Sequence, residues 1–382
     1  MKKLAIIGAS YLQEPLIQKA KDMGIETHVF AWAADDVGEK SADYFYPISI
    51  VEKEQILEKC RKIKIDGICS IASDLAAITV NYVATELGLC GNDYRWTELM
   101  TNKHKMREAF LQNGDPSPKF FYVESIDDIN VSEIRFPVIV KPLDRSGSRG
   151  ITKVDVAAEL QNAIEIAKEQ GFRKSALVEE YVDGEEYSVE YISQEGIHHF
   201  LAVTKKYTTG SPNFIETGHL EPAEIKDDAL TNIKKVIPHA LDSLHITNGA
   251  SHSEIKISND GDIKIIEIGA RMGGDCIGSH LVELSTGIDF VKAVIDVALS
   301  RDIDLQPKKA NHYAAVDYIF SVDDYDKTLR EIEKAGLAVK FCMRDDALNV
   351  EVHDSSARPA CVVFCGDNCE SMKKILDIGN GK

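Results

Sequence analysis

Long apolar runs and paired cysteines are both missing from this sequence. A run of only four apolar residues, LAII, precedes Gly8, whereas a secretory signal needs an apolar core of about 7 to 15 residues and a membrane helix about 20. The eight cysteines are scattered, and no two of them form a C-x-x-C pair. This spacing indicates neither a disulfide framework nor a zinc site. We therefore expect a cytoplasmic protein without a membrane-spanning segment.

Positive charge is also scarce. The 44 lysines and arginines are outnumbered by 62 aspartates and glutamates, which leaves a formal net charge of −18. Such a charge repels the phosphates of nucleic acids and acidic membrane surfaces, so we expect neither as a partner. The length of 382 residues exceeds what one compact core organises, and two or three domains are expected.

Short apolar runs alternate with helical patterns over residues 1–92. That order of elements predicts a Rossmann-like parallel sheet. A dinucleotide site is only weakly indicated, because Ser10 and Gln13 stand where the glycine fingerprint would continue after Gly8, and no acidic residue closes the second strand. We expect this unit to be structural and keep a nicotinamide-dependent oxidoreductase as an alternative.

Glycines and prolines between residues 91 and 118 mark the passage to a second unit. We predict an N-terminal domain over residues 1–92, a central domain over 93–308 with a lid at about 119–182, and a small C-terminal α+β domain over 309–382. The predicted fold class is therefore α/β in the first domain and α+β beyond it.

A strand that ends in a lysine is followed by a loop of small and charged residues in VIVKPLDRSGSRGITKV, residues 138–154. The G-K-S/T triplet of a P-loop is missing, so this is not a Walker A site. Backbone N–H groups at Ser146, Gly147 and Ser148 can instead surround phosphate oxygens, with Lys141 as a point charge below them. A solvated loop tip is the alternative.

The stretch ALVEEYVDGEEYSVE, residues 176–190, predicts a hairpin that turns at Asp183 and Gly184. Alternation places Glu186 and Glu190 on one face of the returning strand. These carboxylates either line a polar cleft or face solvent.

A second hairpin is predicted in SHSEIKISNDGDIKIIEIGARMGGD, residues 251–275. A two-residue type I′ turn at Asp260 and Gly261 places Glu254 opposite Glu267. At about 5 Å and an effective dielectric constant of about 20, the two negative charges repel by roughly 3 kcal/mol. Mg²⁺ removes that cost and takes the rest of its ligands from water and substrate phosphates. The alternative is a surface hairpin neutralised by a nearby lysine or arginine.

Two further polar side chains fall on the face of the paired glutamates. Alternation places Arg271 and His252 there. A guanidinium in that position can hold a carboxylate or a developing oxyanion. The segment therefore predicts an anion site beside the metal site.

Five segments, in order along most of the chain, together resemble the ATP-grasp superfamily, and in particular its carboxylate-amine ligases such as the L-amino acid ligases. Carbamoyl phosphate synthetase and biotin carboxylase are related to the same group. The segments are TNKHKMREAF, FPVIVKPLDRSGSRGI, LVEEYVDGEEYSVE, FIETGHLEPA, and HSEIKI followed by IIEIGARMGGD. The resemblance implies an ATP-grasp fold in which residues 1–92 precede the ATP-binding domain and residues 309–382 complete the acceptor pocket.

The resemblance also implies roles for single residues, with Lys141 and Arg271 as the catalytic pair. Lys103 and Lys141 contact the ATP phosphates, and the loop of residues 144–150 closes over them as a lid. Lys205 is a third phosphate contact, unless the adjacent Lys206 takes that role. The other assignments are adenine contacts from Glu179, Glu180 and Val182, a ribose contact from Glu186, a pair near the nucleotide formed by Glu216 and His219, the magnesium ligands Glu254 and Glu267, and Arg271 on the acyl phosphate or the substrate carboxylate.

One position departs from the family pattern. Many relatives have an asparagine metal ligand two residues after the second glutamate, where this chain has Gly269. The change implies that one metal ion is held less tightly or that water completes its shell. It also implies room beside Arg271 for a bulkier substrate.

The activity implied by the resemblance is that of an ATP-dependent ligase. A substrate carboxylate would attack ATP to give an acyl phosphate, and an amine would then displace phosphate, forming an amide or peptide bond. We expect amino acids as substrates, ATP with Mg²⁺ or Mn²⁺ as cofactors, and a homodimer as a compatible assembly. The alternatives within the superfamily are a carboxylase or carbamoyl phosphate synthetase-like enzyme that uses bicarbonate, and a catalytically silent nucleotide sensor.

Overall fold

The computed structural model of the protein describes residues 1–145, 147–211, 214–308, 310, 312–345 and 352–380. Its strands are β1 (Lys3–Ile7), β2 (Glu26–Phe30), β3 (Tyr44–Tyr46), β4 (Gly67–Cys69), β5 (Phe120–Val123), β6 (Val138–Pro142), β7 (Thr152–Val154), β8 (Ala176–Glu180), β9 (Glu185–Gln194), β10 (Ile197–Thr208), β11 (Glu216–Glu221), β12 (Gly249–Ile257), β13 (Ile263–Gly269), β14 (Tyr313–Ile319), β15 (Ala338–Arg344) and β16 (Ala360–Gly366). Its α-helices are α1 (Glu14–Asp22), α2 (Val37–Ser41), α3 (Lys53–Ile63), α4 (Asp74–Leu87), α5 (Thr97–Thr101), α6 (Lys103–Asn113), α7 (Leu160–Gln170), α8 (Asp227–Ser243), α9 (Val282–Thr286), α10 (Phe290–Ala298), α11 (Val322–Lys334) and α12 (Cys369–Asn380).

The N-terminal sheet consists of parallel strands in the order β3-β2-β1-β4. Residues 4–7 are fully buried in its centre, because helices cover both faces of a parallel sheet. Helix α2 and strand β3 were not predicted from the sequence. The predicted Rossmann-like sheet is confirmed.

The turn after β1 is filled by a glutamine side chain. Gly8, with a φ of +104°, lets the chain pass close to Gln13, whose Nε2 donates to the Ile71 carbonyl at 2.8 Å and whose Oε1 accepts from Ser10. A Cβ at position 8 would lie 2.9 Å from the Gln13 side chain. The space in which a dinucleotide-binding turn receives a pyrophosphate is therefore occupied, which counts against the oxidoreductase alternative.

A second sheet, in the order β5-β8-β6-β7, is antiparallel and carries helix α7. Strand β6 runs into Lys141, as predicted. The helix buries the predicted apolar stripe of Leu160, Ala163, Ile164 and Ala167. This sheet lies within residues 119–182, the predicted lid, although the domain boundaries themselves stay a prediction.

The largest sheet has the strand order β13-β12-β9-β10-β11-β14-β16-β15. Because β11 pairs with β14, the C-terminal strands belong to the same sheet as β9 to β13. In the described part of the chain, residues 309–382 therefore extend the largest sheet and do not form a separate sheet.

Strands β8 and β9 do not form the predicted hairpin. β8 pairs with β5 and β6, whereas β9 pairs with β10 and β12 in the largest sheet. Gly184, with a φ of +122°, carries the chain between the two sheets, and a Cβ there would lie 2.4 Å from the Ile257 carbonyl oxygen. A turn signature reveals a change of direction but not the sheet that the next strand joins. Alternation along β9 does keep Glu186 and Glu190 on one face.

The connection between β12 and β13 differs from the predicted two-residue turn. Ser258 N donates to the Asp262 carbonyl at 3.0 Å, and Gly261 N donates to the Ser258 carbonyl at 2.9 Å, so that three residues form the loop. Gly261 has a φ of +88°, which suits the left-handed position of such a loop. The predicted type I′ turn at Asp260 and Gly261 is therefore wrong.

A β-bulge nevertheless restores the predicted pairing of the two glutamates. The register shifts between Glu254 and Ile255, and beyond this shift Glu254 pairs with Glu267. The extra residue on β13 is Ile266, whose carbonyl oxygen accepts from Nη2 of the buried Arg107 at 2.6 Å. The opposition of the glutamates is confirmed, although the turn from which it was inferred is not.

The N-terminal sheet and the largest sheet share one hydrophobic core. Leu4, Ile6 and Val29 cluster with Ile192 and Ala250 and with the apolar face of helix α10. This packing holds the N-terminal unit against the largest sheet. Among the helices of the described residues, none combines the length and the apolar character that a bilayer span requires.

Candidate functional site

A cavity of about 520 Å³ lies where the three sheets meet, and we call it the cleft. Tyr11 of the N-terminal unit, Lys141 of the second sheet, and Glu254 and Glu267 of the largest sheet line its walls. Small-molecule sites have volumes of about 300 to 1,000 Å³. Every predicted site residue that the structure describes lines the cleft, with the exception of Lys205.

Lys141 projects from β6 into a buried group of charges. Its Nζ lies 2.6 Å from Glu179 Oε2, and Arg107 Nε donates to the other oxygen of Glu179 at 2.6 Å. Burial lowers the pKa of Lys141. Burial would raise the pKa of Glu179, but the charges of Arg107 and Lys141 outweigh it and lower that pKa. Two cations share one carboxylate here, so this wall of the cleft favours an anion.

The predicted adenine contacts Glu180 and Val182 lie at the edge of the cleft next to β8. The Glu180 side chain is exposed, and the Val182 carbonyl accepts from Lys256 Nζ at 3.1 Å. Their contact with adenine stays a prediction.

The loop between β6 and β7 covers the cleft. Gly147 and Ser148 line it, and the predicted Ser146 lies outside the described residues. Ser148 donates from Oγ to the Phe214 carbonyl at 2.9 Å, which joins the loop to the opposite wall. Arg149 also lines the cleft, and its buried Nε has no hydrogen-bond partner among the described residues. This arginine is not among the predicted residues, although a cation in a loop proposed to bind phosphate is a usable signal.

Lys103 begins helix α6, where the Asn102 side chain caps the helix by accepting from two backbone N–H groups. The cap fixes the first turn of the helix. Lys103 Nζ then reaches Glu267 Oε1 at 2.5 Å and the Arg145 carbonyl at 2.9 Å. This lysine links one of the paired glutamates to the covering loop.

Lys206 enters the cleft, and Lys205 does not. Because side chains alternate along β10, Lys205 lies outside and pairs with Glu185 at 3.0 Å. The carboxylates around Lys206 Nζ are those of Glu254 at 2.6 Å, Glu186 at 3.0 Å and Glu216 at 3.8 Å. Burial would lower the pKa of Lys206, but these carboxylates raise it well above its ordinary value. The structure therefore replaces Lys205 by Lys206 as the candidate phosphate contact.

Glu254 and Glu267 face each other in the cleft, and a lysine neutralises each of them. Burial would raise the pKa of Glu254, but Lys206 and His252 lower it well below its usual range. Among the described residues, no group of three or more His, Cys, Asp or Glu is placed to hold a metal ion. Two hard oxygen donors fit an ion such as Mg²⁺, which completes its shell with water and phosphate oxygens.

His252 shares the face of the paired glutamates, as predicted. Its Nδ1 is hydrogen-bonded to the fully buried Glu190, and its Nε2 lies 3.7 Å from Glu254 Oε1. Burial would lower the pKa of His252, but Glu190 raises it to about 9. The imidazolium therefore adds positive charge beside the paired glutamates.

Arg271 is held by an aspartate of the N-terminal unit. Its Nε and Nη2 donate to the two oxygens of Asp74 at 2.8 and 3.1 Å. A Cβ at Gly269 would lie 2.9 Å from Asp74 Oδ1 and 3.2 Å from the Arg271 guanidinium. The expectation of free room beside Gly269 is therefore wrong, because the Asp74 carboxylate occupies that space. The N-terminal unit, expected to be structural, thus contributes the carboxylate that holds Arg271, a residue of the cleft.

Glu216 and His219 both belong to β11 and line the cleft, and Glu216 accepts a hydrogen bond from Ser355. His219 is 1% exposed, and within the described ranges neither of its ring nitrogens has a hydrogen-bond partner, although Asp275 lies 3.6 Å away. Burial lowers the pKa of His219 and keeps the ring neutral at pH 7. A buried neutral imidazole that faces a cavity can exchange hydrogen bonds with a ligand.

The far end of the cleft holds a second arginine–aspartate pair. Arg358 donates to the two oxygens of Asp275 at 2.7 and 3.1 Å, and its guanidinium lies 3.6 Å from the centre of the Tyr318 ring. Asp275 and Cys276 have φ values of 52° and 61°, a left-handed conformation that side chains rarely adopt. Neither member of the pair is among the predicted residues, since 83 positions separate them in the sequence.

The central part of the sequence matches a known domain family. Residues 134–279 match the ATP-grasp domain. The alanine–anticapsin ligase of Bacillus subtilis is 28% identical over 299 residues, which cover 69% of this chain and 63% of that protein. The match therefore spans less than two thirds of the length of this relative.

Among the solved structures that resemble the whole chain, two illustrate the likeness. The L-amino acid ligase from Bacillus licheniformis has a TM-score of 0.84 and 24% identity, covering 100% of this chain and 97% of that one. N5-carboxyaminoimidazole synthetase from Staphylococcus aureus, complexed with ADP, has a TM-score of 0.81 and 15% identity, covering 99% and 97%. At these identities the likeness shows the fold, and it confirms the predicted α/β and α+β architecture.

Proposed function

We propose that this chain is a member of the ATP-grasp superfamily and an ATP-dependent ligase which joins the carboxylate of one small molecule to the amine of another. The observation that carries the proposal is the opposition of Glu254 and Glu267 in a cleft that also holds Lys103, Lys141 and Lys206. Paired carboxylates beside several cations match a divalent ion and a triphosphate bound together.

The lysines of the cleft are the proposed contacts of the ATP phosphates. Lys141 and Lys103 lie below the covering loop, and Lys206 lies beside the metal carboxylates. When bound, Mg²⁺ or Mn²⁺ would neutralise the phosphate charge, with Glu254 and Glu267 as its protein ligands. The backbone of Gly147 and Ser148 would cover the phosphates and exclude water.

The proposed reaction has two steps. A carboxylate oxygen of the first substrate attacks the γ-phosphorus of ATP, the bond to the β-phosphate oxygen breaks, and ADP leaves. The amine nitrogen of the second substrate then attacks the acyl carbon, phosphate leaves, and an amide bond remains. Arg271 would stabilise the negative charge that develops in both steps. No side chain acts as a nucleophile, so the protein contributes positioning and electrostatic stabilisation.

Amino acids are the substrates that the charges of the cleft support. Arg271, which Asp74 holds, lines it, and so do both members of the pair formed by Arg358 with Asp275. Together these residues offer cations for a carboxylate and an anion for an ammonium group, which a zwitterion carries together. Bicarbonate has no ammonium group and would use only the cations.

The test is a screen for ATP consumption. The purified protein is incubated with Mg²⁺, ATP and amino acids singly and in pairs, and released phosphate and product mass are measured. The proposal predicts phosphate release that depends on an amino acid, with a product that has the mass of the two substrates less one water. Phosphate release that requires bicarbonate, or none with any amino acid, would contradict it.

A further inference from the structure

The two carboxylates proposed to bind metal are already occupied from within the chain. Lys103 Nζ lies 2.5 Å from Glu267 Oε1, and Lys206 Nζ lies 2.6 Å from Glu254 Oε1. An ammonium group that donates to a carboxylate oxygen competes with a metal ion for the same lone pairs. Two cations on one carboxylate also repel each other. A metal ion can therefore bind at its full strength only if a lysine moves away.

The two lysines differ in how firmly they are held. Lys103 donates to the Arg145 carbonyl as well as to Glu267, so part of its anchor is independent of the metal carboxylates. Among the described residues, the hydrogen-bond and ion-pair partners of Lys206 Nζ are all carboxylates. Lys206 is thus the cation whose position depends wholly on anions in the cleft.

The side chain of Lys206 can also move towards the proposed phosphate site. Its side chain is 4% exposed and ends inside the cleft, next to the wall from which Lys103 and Lys141 approach. A lysine ammonium is a point charge on a flexible stem and can follow an anion over a short distance. Phosphate oxygens would replace the carboxylate oxygens that it leaves.

We propose that Lys206 is an internal stand-in for the metal ion. In the nucleotide-free protein it neutralises Glu254, and it leaves for the phosphates when nucleotide and metal bind together. This inference rests on the proposed ATP site. Metal alone would bind more weakly because it must displace the Lys206 ammonium group from Glu254, its nearest carboxylate, whereas phosphate oxygens replace that partner when nucleotide is present. Metal and nucleotide would therefore each strengthen the binding of the other.

The experiment compares Lys206→Met with Lys205→Met. Both variants lose one lysine of β10, but Lys205 pairs outside the cleft with Glu185. Mn²⁺ binding to the protein without nucleotide is measured from the electron paramagnetic resonance signal of free Mn²⁺. Binding of a non-hydrolysable ATP analogue in the presence of Mg²⁺ is measured by calorimetry.

The proposal predicts changes of opposite sign. Lys206→Met should bind Mn²⁺ without nucleotide about tenfold or more tightly than the wild type, and should bind the ATP analogue about tenfold or more weakly. Lys205→Met should match the wild type in both measurements. Unchanged or weaker Mn²⁺ binding by Lys206→Met would overturn the proposal, because removal of an ammonium group that competes for Glu254 must strengthen metal binding.

Two further results would separate a failure of the stand-in role from a failure of the proposed function. If Lys206→Met does not fold without metal, Mn²⁺ alone should restore its thermal unfolding transition, and a failure to do so overturns the stand-in role. If the wild type binds no ATP analogue with Mg²⁺ present, the proposed function is wrong, whatever the variant does with Mn²⁺.

Discussion

At the scale of single residues, the cleft is a set of charges that are already compensated. Lys141 touches Glu179, Lys206 touches Glu254, and Arg271 touches Asp74. Buried charges need such partners, because removing one member leaves the other unpaired in a medium of low dielectric constant. Binding of charged substrates therefore exchanges ion pairs and does not have to create them.

Asp74→Asn tests the role of the N-terminal unit at this scale. The amide holds the Arg271 guanidinium less firmly than the carboxylate does, so kcat/KM for ligation should fall by about 10- to 100-fold, or roughly 1.4 to 2.7 kcal/mol. ATP affinity measured by calorimetry should change little, because the lysines keep their partners. Asp74→Glu is the matched control and should restore part of the activity.

Gly269→Ala should act in the same direction, since its Cβ would lie 2.9 Å from Asp74 Oδ1. Combined with Asp74→Asn, its effect should be less than additive, because both changes disturb one ion pair. Wild-type turnover by Asp74→Asn, or fully additive losses, would show that Asp74 does not position Arg271.

Sequence patterns predicted the residues of the cleft that lie within local motifs. Lys141 ends an apolar strand, and Glu254, Glu267 and Arg271 follow from alternation along two neighbouring strands. Asp74 could not be found in this way, because it contacts Arg271 from 197 positions away. Side-chain pairs that are so far apart in the sequence depend on how the domains pack against each other. The local periodicity of apolar residues contains no information about that packing.

At the scale of elements, the alternation of side chains along a strand predicted the face on which each side chain lies. It was less reliable for the way in which consecutive strands are connected and paired. It placed Glu186 with Glu190 correctly, but the supposed hairpin joins strands of two different sheets. The predicted turn between β12 and β13 was also wrong by one residue, and the bulge at Ile266 compensated for it. Period-two patterns describe a strand, whereas pairing partners and bulges depend on the neighbouring strands.

Glu221, at the end of β11, provides a pH-dependent test of how this strand packs. It is fully buried and accepts from Thr204 Oγ1 and Ser285 Oγ, both at 2.6 Å. Burial raises its pKa from 4.5 to about 7. Between pH 4.5 and pH 7 the Glu221 carboxyl group is ionised in the unfolded state and protonated in the folded state. Its contribution to the free energy of unfolding is therefore fully present below pH 4.5 and falls by roughly 3 kcal/mol as the pH rises to 7.

Glu221→Gln removes this titration and should gain stability relative to the wild type as the pH rises. Urea unfolding of both proteins at a pH below 4.5 and at a pH above 7 measures the change. The difference in unfolding free energy should shift in favour of the variant by up to roughly 3 kcal/mol. A difference that is the same at both pH values would mean that Glu221 is ionised in the folded protein throughout this range.

At the scale of the whole molecule, the N-terminal unit and the largest sheet are joined by more than Asp74. Leu4 and Ile6 share a core with Ile192, and Ala72 N donates to the Met272 carbonyl at 3.2 Å next to Arg271. The parallel order of the first sheet was predictable from the chain, but its contribution to the cleft was not. We expect the two parts to unfold as one cooperative unit.

Differential scanning calorimetry tests this cooperativity. One shared core predicts a single transition whose calorimetric and van't Hoff enthalpies agree. The same transition should move to higher temperature in the presence of Mg²⁺ and the non-hydrolysable ATP analogue. Two separate transitions, with only the later one sensitive to nucleotide, would contradict the shared core.

The central claim, that Glu254 and Glu267 hold the metal on which ligation depends, is tested most directly by amino-acid-dependent phosphate release from ATP. Glu254→Gln and Glu267→Gln should each reduce turnover by about 100-fold or more while the protein stays folded. Glu185→Gln removes a carboxylate outside the cleft and should leave turnover as in the wild type. Wild-type turnover by Glu267→Gln would contradict the account.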